Sequence, residues 1–306
     1  IHPLGELAVA RAAAGAGVSY VFPHLGGTDC TRVAAEVPGL WYQIYQYGGR
    51  EVSEPALHRA WDAGYRTLVV TIDNARTARH RDVRNGLADL LGADRGRALP
   101  HLGQLLARPR WLGGFLRNGR PLEAPNAILP DRRPMRRPDL VAAAARPDAT
   151  FRWADFTWIR ERWPGAVVAK GILTAADARR AIDAGVSGLV VSNHGGRSLD
   201  GLEASLRALP EVVDEVRGTV PILLDGGVRG ASDILKALCL GASAVMMGRP
   251  YMFALAHGEA GVARMLDLLQ ADFARSLAAL GCASSVALDA SYAKVPATWV
   301  TAPAPH

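Results

Sequence analysis

The chain has 306 residues, 49% of them apolar, which is enough to bury a large core and is a length that an α/β barrel often uses as one domain. Its formal charge of +6 is unevenly placed, because arginines crowd between residues 76 and 137, and no basic stretch is interleaved with aromatics as a nucleic-acid surface would be. Cys30, Cys239 and Cys282 lack metal-ligand spacing and fit a reducing cytoplasm, and no apolar run reaches the roughly 18 residues of a membrane helix.

Residues 5–15 are rich in strong helix formers and are stopped by Gly15 and Gly17. A strand over 18–22 follows, then a helix over 29–36, a strand over 41–45, a helix over 54–64 and a strand over 67–73. After a long segment, 74–164, the alternation resumes with strands over 167–171, 188–192, 221–225 and 244–248. Helices are predicted over 175–184, 202–216, 231–240 and 261–280. Short apolar strands alternating with helices predict right-handed βα units around a parallel sheet. Seven strands can be counted, where a closed (β/α)8 barrel needs eight.

Residues 74–164 are too long for an ordinary connection and predict a basic lid, which suits an acidic partner or simply a solvated face. Within it, residues 99–116 are apolar at helical spacing, interrupted at Pro109 and flanked by arginines and Trp111. A helix capping the barrel and a helix lying on a membrane surface both explain that pattern.

The segment Gly188-Leu-Val-Val-Ser-Asn-His-Gly-Gly-Arg-Ser-Leu-Asp-Gly201 runs from a continuous apolar strand into a polar cluster. In barrel enzymes the strand's C-terminal end is where sites are built. His194 can take and return a proton near neutral pH, Arg197 offers a planar fork to a carboxylate, and Gly195 and Gly196 allow a sharp turn. A satisfied loop histidine explains the residue equally well. Lys170 closes an otherwise apolar strand, so it needs a partner, either a structural salt bridge or a ligand. Asp73, at the end of its strand, can cap the helix that follows. Alternation puts Gln43 and Tyr45 on one face of their strand, where a buried amide needs a partner. Asp225-Gly-Gly-Val-Arg229 and Met247-Gly-Arg-Pro250 follow the last two strands, where glycine and arginine together suit a phosphate.

The run from Ser192 to Gly201 resembles the active-site signature of the FMN-dependent 2-hydroxy-acid oxidase and dehydrogenase family, which includes glycolate oxidase, lactate oxidase and mandelate dehydrogenase. The resemblance extends from residue 1 to about 283, with a weakly matching tail over 284–306. It implies a TIM (β/α)8 barrel with seven of the eight strands in this chain, one FMN-binding domain over residues 1–306, and oxidation of a small 2-hydroxy acid to the 2-oxo acid. Electrons would pass to oxygen or to another carrier.

Carried over residue by residue, His194 is the base, Asp73 orients it, and Tyr45 and Arg197 meet the substrate. Arg79, or a neighbouring arginine if the register shifts by one, completes the carboxylate grip. Gln43, Thr71, Lys170 and Ser192 face the flavin, whose N5 receives the hydride equivalent. Lys170 would favour the reduced ring, Asp225 would take the ribityl hydroxyls, and Gly227, Arg229, Gly248 and Arg249 would take the phosphate.

Phe22-Pro-His-Leu-Gly-Gly27 departs from the family, which carries serines or threonines there. The flavin would lose hydroxyl partners, and His24 reads as an exposed loop histidine. Family members also carry a first strand ahead of residue 5. The chain therefore resembles a member lacking its beginning, and strands 18–22 and 244–248 would be unpaired edges that invite homo-oligomers. Arg108-Pro-Arg-Trp-Leu112 and Leu280-Gly-Cys-Ala-Ser-Ser285 also resemble the mycofactocin-pathway member, which oxidises a peptide-derived group. An inactive scaffold pairing through its edges is the third reading.

Overall fold

The computed structural model describes residues 2–46, 49–73, 103, 106–118, 123–131, 133–136, 139, 151–296 and 299. Its first helix, α1 (Gly5–Gly15), buries Leu7, Val9 and the four alanines Ala8, Ala10, Ala12 and Ala13. Strand β1 (Val21–Pro23), helix α2 (Cys30–Glu36), β2 (Trp41–Ile44), α3 (Arg50–Asp62) and β3 (Thr67–Thr71) follow. Asp29 starts α2 by accepting from the Thr31 amide at 2.9 Å, satisfying one of the free N–H groups that a helix start leaves.

Between β3 and the next sheet strand lie α4 (Pro109–Asn118), a two-stranded antiparallel ribbon of β4 (Glu123–Ile128) and β5 (Pro134–Arg136), and α5 (Ala154–Arg162). Helical residues precede Pro109, the pattern breaks at Ala107 and Arg108, and Pro109 opens α4, a position where its missing N–H costs nothing. The ribbon was not foreseen, since Pro125 and Asn126 are poor strand formers.

The alternation then resumes as predicted, through β6 (Ala166–Ile172), α6 (Ala175–Asp183), β7 (Gly188–Val191), α7 (Ser205–Val216), β8 (Ile222–Leu224), α8 (Ala231–Cys239) and β9 (Ala244–Val245). A short helix, α9 (Arg249–Ala254), and the long α10 (Gly258–Ala279), which packs on α1, complete the described elements. None of the described helices is long and apolar enough to cross a membrane.

All seven sheet strands run parallel in the order β1-β2-β3-β6-β7-β8-β9. Because side chains alternate across a strand, each strand serves two cores. Leu68, Val70, Val167, Ala169, Leu189, Val191, Ile222 and Leu224 face outward into the core shared with the helices. Val69, Val168, Val190 and Leu223 face inward and form a separate apolar cluster with Val21, Trp41 and Met246. Burial on both faces is the physical reason the strands read as unbroken apolar runs.

Candidate active site

Stepping two residues from each inward apolar side chain keeps to the same face and moves toward the C-terminal end of the strand. Trp41 leads to Gln43, Val69 to Thr71, Val168 to Lys170, Val190 to Ser192, and Leu223 to Asp225. The inner apolar cluster is therefore the floor of a polar ring, and the ring collects five of the residues singled out in the sequence, Gln43, Thr71, Lys170, Ser192 and Asp225.

Within it, Gln43 Nε2 donates to Thr71 Oγ1 at 2.9 Å, and both residues are nearly buried. Lys170 Nζ sits 2.9 Å from Asp225 Oδ2 and donates to Ser192 Oγ at 3.0 Å. The lysine's burial is thereby offset by one charge and one dipole. Ser192 is wholly buried, and its hydroxyl also accepts from the His194 amide at 3.0 Å. It reaches the site through Lys170 and the histidine turn rather than by facing open space.

The turn itself is a single 3₁₀ turn, His194–Gly196, in which His194 adopts φ 56°. That left-handed conformation costs a residue with a Cβ roughly 1–2 kcal/mol. The surrounding bonds hold it there. Asn193 donates its amide to Ser205 Oγ at 3.0 Å, and the Gly196 amide donates to Asn193 O at 3.0 Å.

His194 Nδ1 lies 2.9 Å from Asp73 Oδ1, and Nε2 lies 3.4 Å from the Tyr45 hydroxyl. A histidine 121 residues away from Asp73 is thus gripped from β3, while β2 contributes the tyrosine. Asp73 can come this close because residue 171 is glycine at φ 113°. A Cβ there would lie 2.6 Å from that of Asp73. The pairing of β6 with β7 slips at the same place, between Lys170 and Ile172.

Beyond the ring, a cavity of about 370 Å³ is lined by Gly195, Gly196, Gly227, Arg229, Arg249 and neighbouring residues. A Cβ added at Gly227 would meet nothing within 4 Å, so the backbone lies open to it. Gly248 precedes α9 and is outside the lining. Asp225 Oδ1 is buried and has no hydrogen-bond partner among the described residues. A flavin mononucleotide fits this donor set, with an anion cradle at one end, an unpaired carboxylate oxygen beside it, and a lysine, amide and hydroxyl over an apolar floor.

Arg79 lies outside the described residues. Arg197 is exposed and its amide donates to His194 O at 3.3 Å, so it shares the histidine's turn. Among the described residues, no group of three or more histidine, cysteine, aspartate or glutamate side chains could hold a metal ion.

His24 corrects the sequence reading. It is fully buried, not an exposed loop residue, and sits against Tyr42 with ring centroids 6.1 Å apart. Burial pushes its pKa down to about 4, although the backbones of Asn126 and Tyr45 favour the protonated form. Neither ring nitrogen makes a hydrogen bond of normal geometry among the described residues. The departing loop is braced from outside. Glu6 accepts from the Gly27 and Thr28 amides at 3.2 and 3.1 Å, and Asn126 on β4 accepts from the Cys30 amide at 2.8 Å.

A parallel barrel sheet whose inner face ends in a histidine–aspartate pair, a paired lysine and an anion cavity defines a flavin-dependent oxidoreductase. The FMN-dependent dehydrogenase family matches residues 1–295. The chain is 37% identical over 294 residues to an L-lactate dehydrogenase of Chromohalobacter salexigens, covering 92% of this chain and 74% of that one. It is 42% identical over 293 residues to a pre-mycofactocin synthase of Mycobacterium tuberculosis, covering 93% and 72%. A mandelate oxidase structure superposes with a TM-score of 0.72 at 36% identity, covering 94% of this chain and 73% of that one. The chain belongs to the FMN-dependent 2-hydroxy-acid oxidase and dehydrogenase family, and its sheet is seven strands of a TIM barrel.

Proposed function

We propose that the site oxidises a 2-hydroxy acid to the 2-oxo acid, with His194 as the base. The observation that carries the reading is the His194–Asp73 pair at 2.9 Å, placed at the same strand ends as Lys170 and the anion cavity. Bound FMN supplies the acceptor for the hydride equivalent at its N5.

Asp73 accepts from Nδ1–H, which fixes the tautomer and leaves the Nε2 lone pair toward Tyr45 and the substrate. The proton leaving the substrate is taken at Nε2, and the imidazolium so formed is stabilised by the carboxylate. Tyr45 orients the substrate through its hydroxyl. Arg197, with Arg79 or a neighbour, binds the carboxylate as a charge-assisted fork. Lys170, held by Asp225 and Ser192, would set a positive charge beside the flavin ring. Gln43 and Thr71 hold the cofactor's ring edge. Asp225 would take its ribityl hydroxyls, and Gly227, Arg229 and Arg249, with Gly248 just outside the cavity lining, would take its phosphate.

The test is turnover and flavin content of the purified protein and of His194→Ala. The variant keeps its flavin absorbance and loses roughly 10²-fold or more of the rate, the usual scale of a lost general base. Near-full turnover in the variant would sink the assignment. The 42% identity to a pre-mycofactocin synthase supports a second reading, a peptide-derived substrate. A flavin-replete protein inert toward lactate, glycolate and mandelate favours that reading.

A further inference from the structure

The cavity assigned to the phosphate and the turn assigned to the substrate share a wall. Gly195 and Gly196, which follow His194, line the same cavity as Arg229 and Arg249. Arg249 Nη2 donates to Gly195 O at 2.7 Å. The fit is close enough that a Cβ at Gly195 would lie 2.6 Å from that nitrogen, so the guanidinium occupies the space a side chain would need. Arg249 is otherwise exposed to the cavity.

We propose that Arg249 is a positioning residue that ties the anion end of the cofactor site to the substrate turn. Its planar fork has five donors. One is spent on Gly195 O, and because the side chain lines the cavity a bound phosphate would take up others. A bound phosphate thereby fixes the guanidinium, the guanidinium fixes the Gly195 carbonyl, and the carbonyl fixes a turn that holds His194 at an unfavourable φ. Arg197, two residues on from Gly195, moves with that turn. Phosphate occupancy is read out as carboxylate affinity.

The inference rests on the proposed cofactor site and adds a dependence that the site alone does not require. Lysine in place of Arg249 keeps the charge but presents one compact ammonium, which cannot hold the phosphate and the Gly195 carbonyl together in the same geometry. Flavin retention and substrate-site affinity should therefore separate in that variant. The other cavity arginine, Arg229, makes no side-chain bond to the turn that the structure records, its backbone amide donating to Asp233 Oδ2 at 2.9 Å.

The experiment uses the full chain saturated with FMN. Oxalate, a small dicarboxylate probe, is titrated and followed by the change in flavin absorbance, and flavin retention is measured separately by desalting. For Arg249→Lys the expected result is retained flavin with at least a tenfold loss of oxalate affinity. For Arg229→Met it is weakened flavin retention with less than a twofold change in oxalate affinity at saturating FMN. For Arg249→Met both quantities fall.

Oxalate affinity equal to wild type in Arg249→Lys and Arg249→Met overturns the coupling while leaving the cofactor site standing. Flavin retention indifferent to both Arg229→Met and Arg249→Met removes the phosphate from this cavity and overturns the coupling with it. Arg249→Lys, being a same-charge change at an exposed side chain, remains measurable if the methionine variant does not fold.

Discussion

Acidification should loosen this protein through a residue outside the catalytic ring. His24 is fully buried between β1, β2 and β4, and its pKa is held near 4 in the folded chain against an ordinary value of 6.5. The unfolded chain therefore binds the proton more tightly than the folded one. Stability from the neutral imidazole is fully present above about pH 6.5 and is lost as pH falls toward 4. At 1.36 kcal/mol per decade of proton affinity the full effect is about 3 kcal/mol, with about 2 kcal/mol gone by pH 5.

The measurement is the urea midpoint of wild type and of His24→Gln at pH 7 and pH 5, at one flavin concentration. Glutamine keeps a polar, uncharged group of similar length and removes the titration, while the remaining carboxylates and histidines cancel in the difference. The wild type should lose about 2 kcal/mol more than the variant between the two pH values. Equal losses in both proteins would refute the argument, because protonation of His24 would then carry no penalty in the fold.

Two further predictions concern the ring. Lys170→Met leaves the mostly buried Asp225 carboxylate without its partner, so the variant should lose flavin on desalting and about 3 kcal/mol of stability. An unchanged urea midpoint would show that water replaces the ammonium. Gly171→Ala puts a Cβ against Asp73 at a φ that disfavours it, and should cost about 2–5 kcal/mol and most of the turnover. Retained activity with a normal midpoint would mean that Asp73 has room to yield.

Much of this architecture is written locally. Strands such as residues 67–71 and 188–191 are apolar on both faces, and the glycines and polar residues closing them mark where side chains leave the floor of the barrel. Lys170 and Asp73 were legible because each closes such a run with an ionisable group, and His194 because it follows one within three residues. What was not legible depends on distant partners. The ribbon of β4 and β5 contains Pro125 and Asn126, and what favours it is Asn126 satisfying the loop before α2 and the Pro125 carbonyl accepting from Arg59. His24 looks like an ordinary loop histidine until that ribbon covers it. Nothing near Arg249 announces that its fork reaches back 54 residues to Gly195. The short α9 was hidden by the glycine, arginine and proline that open it.

Asn126 also sets a clock on the chain's birth. Its carboxamide oxygen serves the Cys30 amide 96 residues upstream, and its nitrogen donates to Thr28 O at 2.9 Å. At roughly 5–20 residues per second, about 5–20 s of synthesis separate the loop from the strand that completes it. During that interval the loop between α1 and α2 has Glu6, the Pro23 and Gln43 carbonyls and Arg59 as partners, but not Asn126. The β4 backbone at Asn126, beside which His24 is buried, arrives only with that strand. The seal over the first βα unit is a late event, made by the segment that the sequence marks as an excursion.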